Sequence, residues 1–185
     1  AVSVNAGLAL AINRMDIDTF VGQGVQISGT SLTALAVTTD SATDVNALLL
    51  SVAGGGFAAG LSVAIAIVDP SVYTYIGVTP GDGAPEGGSQ TKSGDTVVRG
   101  AISAPNAVIR VANNVSSTAR PVVLSVAGGS AAVTGTVLLA FNRTDAVAGV
   151  IRKNIAARDL IVDADMDATA ESIFAGATVG GTAVG

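Results

Sequence analysis

The stretch Leu48 to Val68, LLLSVAGGGFAAGLSVAIAIV, returns downstream as Val122 to Asn142, VVLSVAGGSAAVTGTVLLAFN. Its second half also stands near the start, as Val4 to Asn13, VNAGLALAIN. A chain that repeats itself in this way builds an array, in which each unit buries the surface that its neighbour leaves bare. No other feature narrows the fold so far.

Each repeat divides into an upstream half before the glycines and a downstream half after them. The first downstream half, VNAGLALAINRMDIDTFVG, matches the second in one constant register, which pairs Ile12 with Ile67, Phe20 with Tyr75 and Gly22 with Gly77. The third copy sets Phe141 where the second has Ile67, and Asn142, Arg143 and Asp145 where the first has Asn13, Arg14 and Asp16. Upstream halves repeat at the offset that takes Ile67 to Phe141, with Leu35, Val37, Leu48, Leu50 and Val52 answering to Ile109, Val111, Val122, Leu124 and Val126. A further upstream half, Leu160 to Ala175, follows without a clear gap-free register. The step from the second copy to the third is longer than the step from the first to the second. The excess falls in the Gly- and Pro-rich segment 78–100, read as a surface loop inserted into one repeat. The whole of 1–185 is then one repeat domain with halves at 3–22, 32–77, 106–151 and 157–185.

Within the halves the period is 2. Leu61, Val63, Ile65 and Ile67 alternate with Ser62, Ala64 and Ala66, which predicts strand. One face is large and apolar and the other small and apolar, so the expectation is a strand covered on both sides. Gly54-Gly55-Gly56, Gly128-Gly129 and Gly180-Gly181 allow tight corners between strands. A repeat as long as the step from Ile12 to Ile67, against roughly 20–30 residues per solenoid unit, predicts two coils per repeat. The predicted fold is all-β: a parallel β-helix, or solenoid, of about three imperfect repeats with one inserted loop.

Composition supports thin layers over a globular core. Hydrophobic residues are 49% of the chain but aromatics only 3%, so the apolar mass is aliphatic and small, with 23 glycines. With 9 basic and 14 acidic residues and no basic run, nucleic acid is excluded as a natural partner. Cys and His are both absent, which removes disulfides, thiolate metal sites and the commonest zinc ligand and general base. A membrane reading also has to be weighed, because Ala47 to Val68 is uncharged and long enough to span a bilayer as a helix. The alternation and the lack of flanking Lys or Arg outweigh it.

Chemistry has few places to sit. Asp163, Asp165 and Asp167 alternate in DADMDA, so a strand would project all three from one face, with Arg158 and Lys153 nearby in sequence. Such carboxylates can bind Ca²⁺ or serve a β-helix carbohydrate-active enzyme, but a solvated outer face is the plainer account. Asn13-Arg14-Met15-Asp16 and Asn142-Arg143-Thr144-Asp145, with Asp69-Pro70 between them, are read as turns at strand exits. Phe20 and Tyr75 occupy equivalent positions and predict a stacked aromatic column. The inserted loop carries Asp82, Glu86, Lys92, Asp95 and Arg99 and is a natural place for recognition. No catalytic, cofactor-binding or metal-binding residue is assigned.

The runs LSVAGGGFAAGLSVAIAIVDPSVYTYIG and VNAGLALAINRMDIDTFVG resemble the Gly/Ala-rich repeats of large bacterial filamentous adhesins and autotransporter passenger regions. The resemblance covers most of the chain except 78–100, and it is one of composition and period. It implies a secreted, cell-surface β-solenoid without enzymatic activity. Its expected partner is a protein or glycan of a host or neighbouring cell, with neither nucleic acid nor membrane insertion. Both ends stop inside a repeat, which leaves two expectations: a piece of a longer chain, or a subunit that associates head to tail into a fibre. The runner-up is a β-helix polysaccharide lyase or hydrolase using Asp163, Asp165 and Asp167, ahead of a membrane-embedded protein.

Overall fold

The structure, a computed structural model, describes residues 2–22, 24–77, 100–151 and 153–184. Among the described residues every regular element is a strand: β1 (Val2–Gly22), β2 (Ile27–Ser28), β3 (Ala34–Gly77), β4 (Ala101–Asn142), β5 (Asp145–Ile151), β6 (Asn154–Ala170) and β7 (Ile173–Val184). All pairings are parallel and join the strands into one sheet. The stretch Leu48 to Val68 lies inside β3, and among the described residues no helix is long and apolar enough to cross a membrane.

The register is the repeat itself. Val2 to Gly22 pair residue for residue with Phe57 to Gly77, and Ala34 to Gly55 with Val108 to Gly129, at the offsets the sequence carries. Ile12, Ile67 and Phe141 form one column, as do Leu50 and Leu124. The next strand across the ladder therefore lies one whole repeat away, so each repeat adds one tier and not two coils. The upstream half that shows no clear register in sequence pairs as well: Val108 sits on Asp159, Ala119 on Ala170, and Val122 on Ile173. An irregularity between Ala104 and Val108 sets this stretch apart from Ala101 to Ala104, which pair with Asn154 to Ala157.

Each repeat turns over at its glycines. Gly55, Gly129 and Gly180 stack directly upon one another. Gly55 has φ of 153°, a Cβ on Gly129 would lie 2.0 Å from the Gly55 carbonyl oxygen, and one on Gly180 would lie 2.5 Å from that of Gly129. Only glycine fits such a column. Past the corner the two halves lie face to face: Ala53 meets Ala58, Val45 and Ala47 pack against Ala64, Ala66 and Val68, and Thr74 Oγ1 donates to Thr39 Oγ1 at 2.7 Å. The result is two stacks of strands, an upstream stack of 34–55, 108–129 and 159–180 and a downstream stack of 2–22, 57–77 and 131–151.

Which face turns inward corrects an expectation. The small face is the core, with Ala58, Ala64 and Ala66 fully buried. The large face is not covered: Leu8, Leu10 and Leu50 are exposed by 68, 56 and 67%. Small side chains permit the close approach of the two stacks, and long ones would hold them apart. Even so, room is tight, for a Cβ on Gly7 would fall 2.9 Å from Leu49 Cδ1.

The segments read as turns at strand exits are not turns in two of the three copies. β1 runs straight through Asn13 to Asp16 and β3 through Asp69-Pro70, because the ladder continues across them and satisfies their backbone. Only Arg143 and Thr144 interrupt the third copy, between β4 and β5. The loop predicted at 78–100 lies outside the described residues except for Gly100.

Candidate functional site

Polar chemistry gathers on the outward face of the upstream stack, away from the glycine corner. The register builds two columns there, Thr38–Ala112–Asp163 and Asp40–Asn114–Asp165. With Arg110 beside them these residues line an open cleft of about 420 Å³. The predicted alternation of Asp163, Asp165 and Asp167 is realised on β6, but only the first two face the cleft.

Arg110 Nη2 stands 3.7 Å from Asp163 Oδ2, and Asn114 Nδ2 donates to Asp40 Oδ1 at 3.3 Å. Asp165 completes its column with a carboxylate that has no such contact among the described residues. Both members of the Arg110–Asp163 pair are more than half exposed, so the pair contributes no more than about 1 kcal/mol and is free to rearrange around a guest. A guanidinium, a carboxamide, a threonine hydroxyl and three carboxylates offer donors and acceptors on one rigid surface. That set suits a hydroxyl-rich ligand.

The basic residues expected beside the cluster go elsewhere. Arg158 Nε donates to Asp159 Oδ2 at 2.9 Å, and Lys153 Nζ donates to the carbonyls of Gly22 and Val25. Arg110 takes their place, from the neighbouring strand, where it pairs with Ile161 across the ladder. Sequence reasoning missed Arg110, Asp40 and Asn114 because the register of this upstream half was not recognised. The step from Gly129 to Gly180 equals the step from Arg110 to Ile161, and that glycine spacing was the available signal. Among the described residues no group of three or more acidic side chains converges tightly enough to hold a metal ion. The geometry explains why: alternate residues stand roughly 6.6 Å apart along a strand, whereas Ca²⁺ gathers its oxygens at about 2.4 Å.

Other singled-out residues serve the array. Phe20 and Tyr75 stack with ring centroids 5.3 Å apart and planes 7° apart, as their equivalence predicts. Arg14 Nε lies 3.5 Å from Asp69 Oδ2 on the next tier. Asn142 bridges the two stacks, its Nδ2 donating to the Ser117 and Thr169 carbonyls and its Oδ1 accepting from Thr144 Oγ1. Comparison with protein-family models, with curated proteins and with solved structures returns no match for this chain.

Proposed function

We propose that the two stacks close into a flattened parallel β-solenoid, one coil per repeat, and that the chain is a non-enzymatic structural and adhesive segment of a bacterial surface protein or fibre. Its partner in this reading is a protein or glycan on a host or neighbouring cell, and its place is extracellular. One observation supports this above the others: register-matched columns across tiers present a polar cleft on a rigid array, where Arg110, Asn114 and Asp165 can meet hydroxyl groups. Rigid repeats with recognition groups on their surface are how extended binding proteins present a site.

A second reading has its own support. A guanidinium beside two carboxylates over a cleft is also what a polysaccharide-cleaving β-helix would use, with Asp163 and Asp165 in the acid and base roles. One experiment separates the two. Beads coated with the chain are expected to adhere to one or more immobilised polysaccharides or cell surfaces, to lose that adhesion on Arg110→Ala with Asp165→Ala, and to release no oligosaccharide. Release of oligosaccharides, abolished by Asp165→Ala, would replace the adhesive reading with the enzymatic one. Absence of both adhesion and oligosaccharide release on every surface would remove both.

A further inference from the structure

We propose that the outward face of the downstream stack is an interface between two copies of this chain, packed face to face. It rests on register and exposure alone and does not depend on the adhesive reading.

The face holds no charge from Val2 to Ile12 and across the tiers stacked on that strand. Leu8, Leu10, Ile12, Leu61, Leu139 and Phe141 stand on it, each exposed by 40% or more. With their apolar neighbours they amount to on the order of 1,000 Å², where the largest patch on a typical monomer is about 300–600 Å². A standard specific interface takes about 800 Å² from each partner. The face is therefore too large to be ordinary monomer surface and large enough for a dimer.

Area and matching rows favour a second copy as the occupant. The side chains form rows at the strand separation of about 4.8 Å, and a second copy brings the same rows at the same spacing. Leu61 fills the space over Gly135, where a Cβ would lie 3.5 Å from Leu61 Cδ1. A twofold axis lying in the plane of contact brings identical rows face to face and makes a closed, isologous pair.

Charge argues against the alternatives. Adding a copy to the open strand edges in the internal register would set Arg14 beside Arg143, Asp16 beside Asp145 and Asp40 beside Asp165. Like charges directly opposite each other are unfavourable. An anionic bilayer is disfavoured because Asp16, Asp18, Asp69 and Asp145 outnumber Arg14 and Arg143 along the border of the patch, and by a net charge of −5.

Sedimentation of the whole chain tests this. At about 50 µM the native chain is expected at twice its monomer mass. Leu8→Lys with Leu10→Lys should weaken association at least tenfold while keeping a β circular dichroism spectrum. Leu50→Lys, on the outward face of the other stack, should leave it unchanged. Should the double variant fail to fold, Val63→Cys in the central tier of the face, between Leu8 and Val137, gives a second readout. The chain has no Cys, so this variant should oxidise to a covalent dimer. A strictly monomeric native chain, a dimer indifferent to Leu8→Lys with Leu10→Lys, a dimer dissolved by Leu50→Lys, or a monomer that pellets with phosphatidylserine vesicles would each overturn the proposal.

Discussion

At single positions the array is least tolerant where a missing side chain is a structural requirement. A Cβ at Gly129 would lie 2.0 Å from the Gly55 carbonyl oxygen, and backbone cannot give way as a flexible side chain can. Gly129→Ala is expected to destabilise the fold by about 2–3 kcal/mol, read from urea melts. Ala66→Leu should cost a similar amount, because Ala66 is fully buried between the stacks. Leu50→Ala should cost far less, under about 1 kcal/mol, since Leu50 faces outward on the stack opposite the proposed interface and is more than half exposed. The contrast inverts the usual rule that trimming a leucine hurts and enlarging an alanine is milder. Equal costs for Ala66→Leu and Leu50→Ala in the same melts would contradict the assignment of faces.

At the scale of strands, a good part of the fold was legible. The period of 2 gave strands, the matches of Ile12 to Ile67 and of Leu50 to Leu124 gave the register, and the glycine clusters gave the corners that Gly55, Gly129 and Gly180 now occupy. Alternation cannot say which face turns inward, because it distinguishes large from small but not covered from bare. The close approach of two Ala-rich faces decided that. Nor could it separate a strand exit from a continuing strand at Asn13 to Asp16, where pairing with Val68 to Ser71 carries the ladder onward. The polar cleft stayed hidden for a related reason. Asp163 and Asp165 were visible as a motif, but Arg110 and Asn114 join them only through the long-range pairing of β4 with β6. Arg110→Ala should consequently leave stability within about 1 kcal/mol of the native chain while removing the cleft's cation. A larger loss in thermal melts would mean that Arg110 holds the strands together and does not merely line the cleft.

For the molecule as a whole, stability rests on ladder hydrogen bonds and apolar contact, with little from charge. Among the described residues the ion pairs Arg14–Asp69, Arg110–Asp163, Arg120–Glu171 and Arg158–Asp159 are all at the surface. Raising salt from about 0.01 to 1 M should therefore move the thermal midpoint by less than about 4 °C. A larger fall would give surface charge a part that the geometry does not. What most needs testing is the stacking of tier upon tier. Parallel neighbours across a ladder lie about 4.8 Å apart, inside the Cα separation that a disulfide spans. In a chain without native Cys, the pairs Leu8→Cys with Val63→Cys and Ile65→Cys with Leu139→Cys fall on neighbouring positions of one column. Both are expected to close intramolecular disulfides on mild oxidation, seen by mass spectrometry, while the offset pair Leu8→Cys with Ile65→Cys closes none within one chain. Closure of the offset pair within one chain, or of none, would contradict the register.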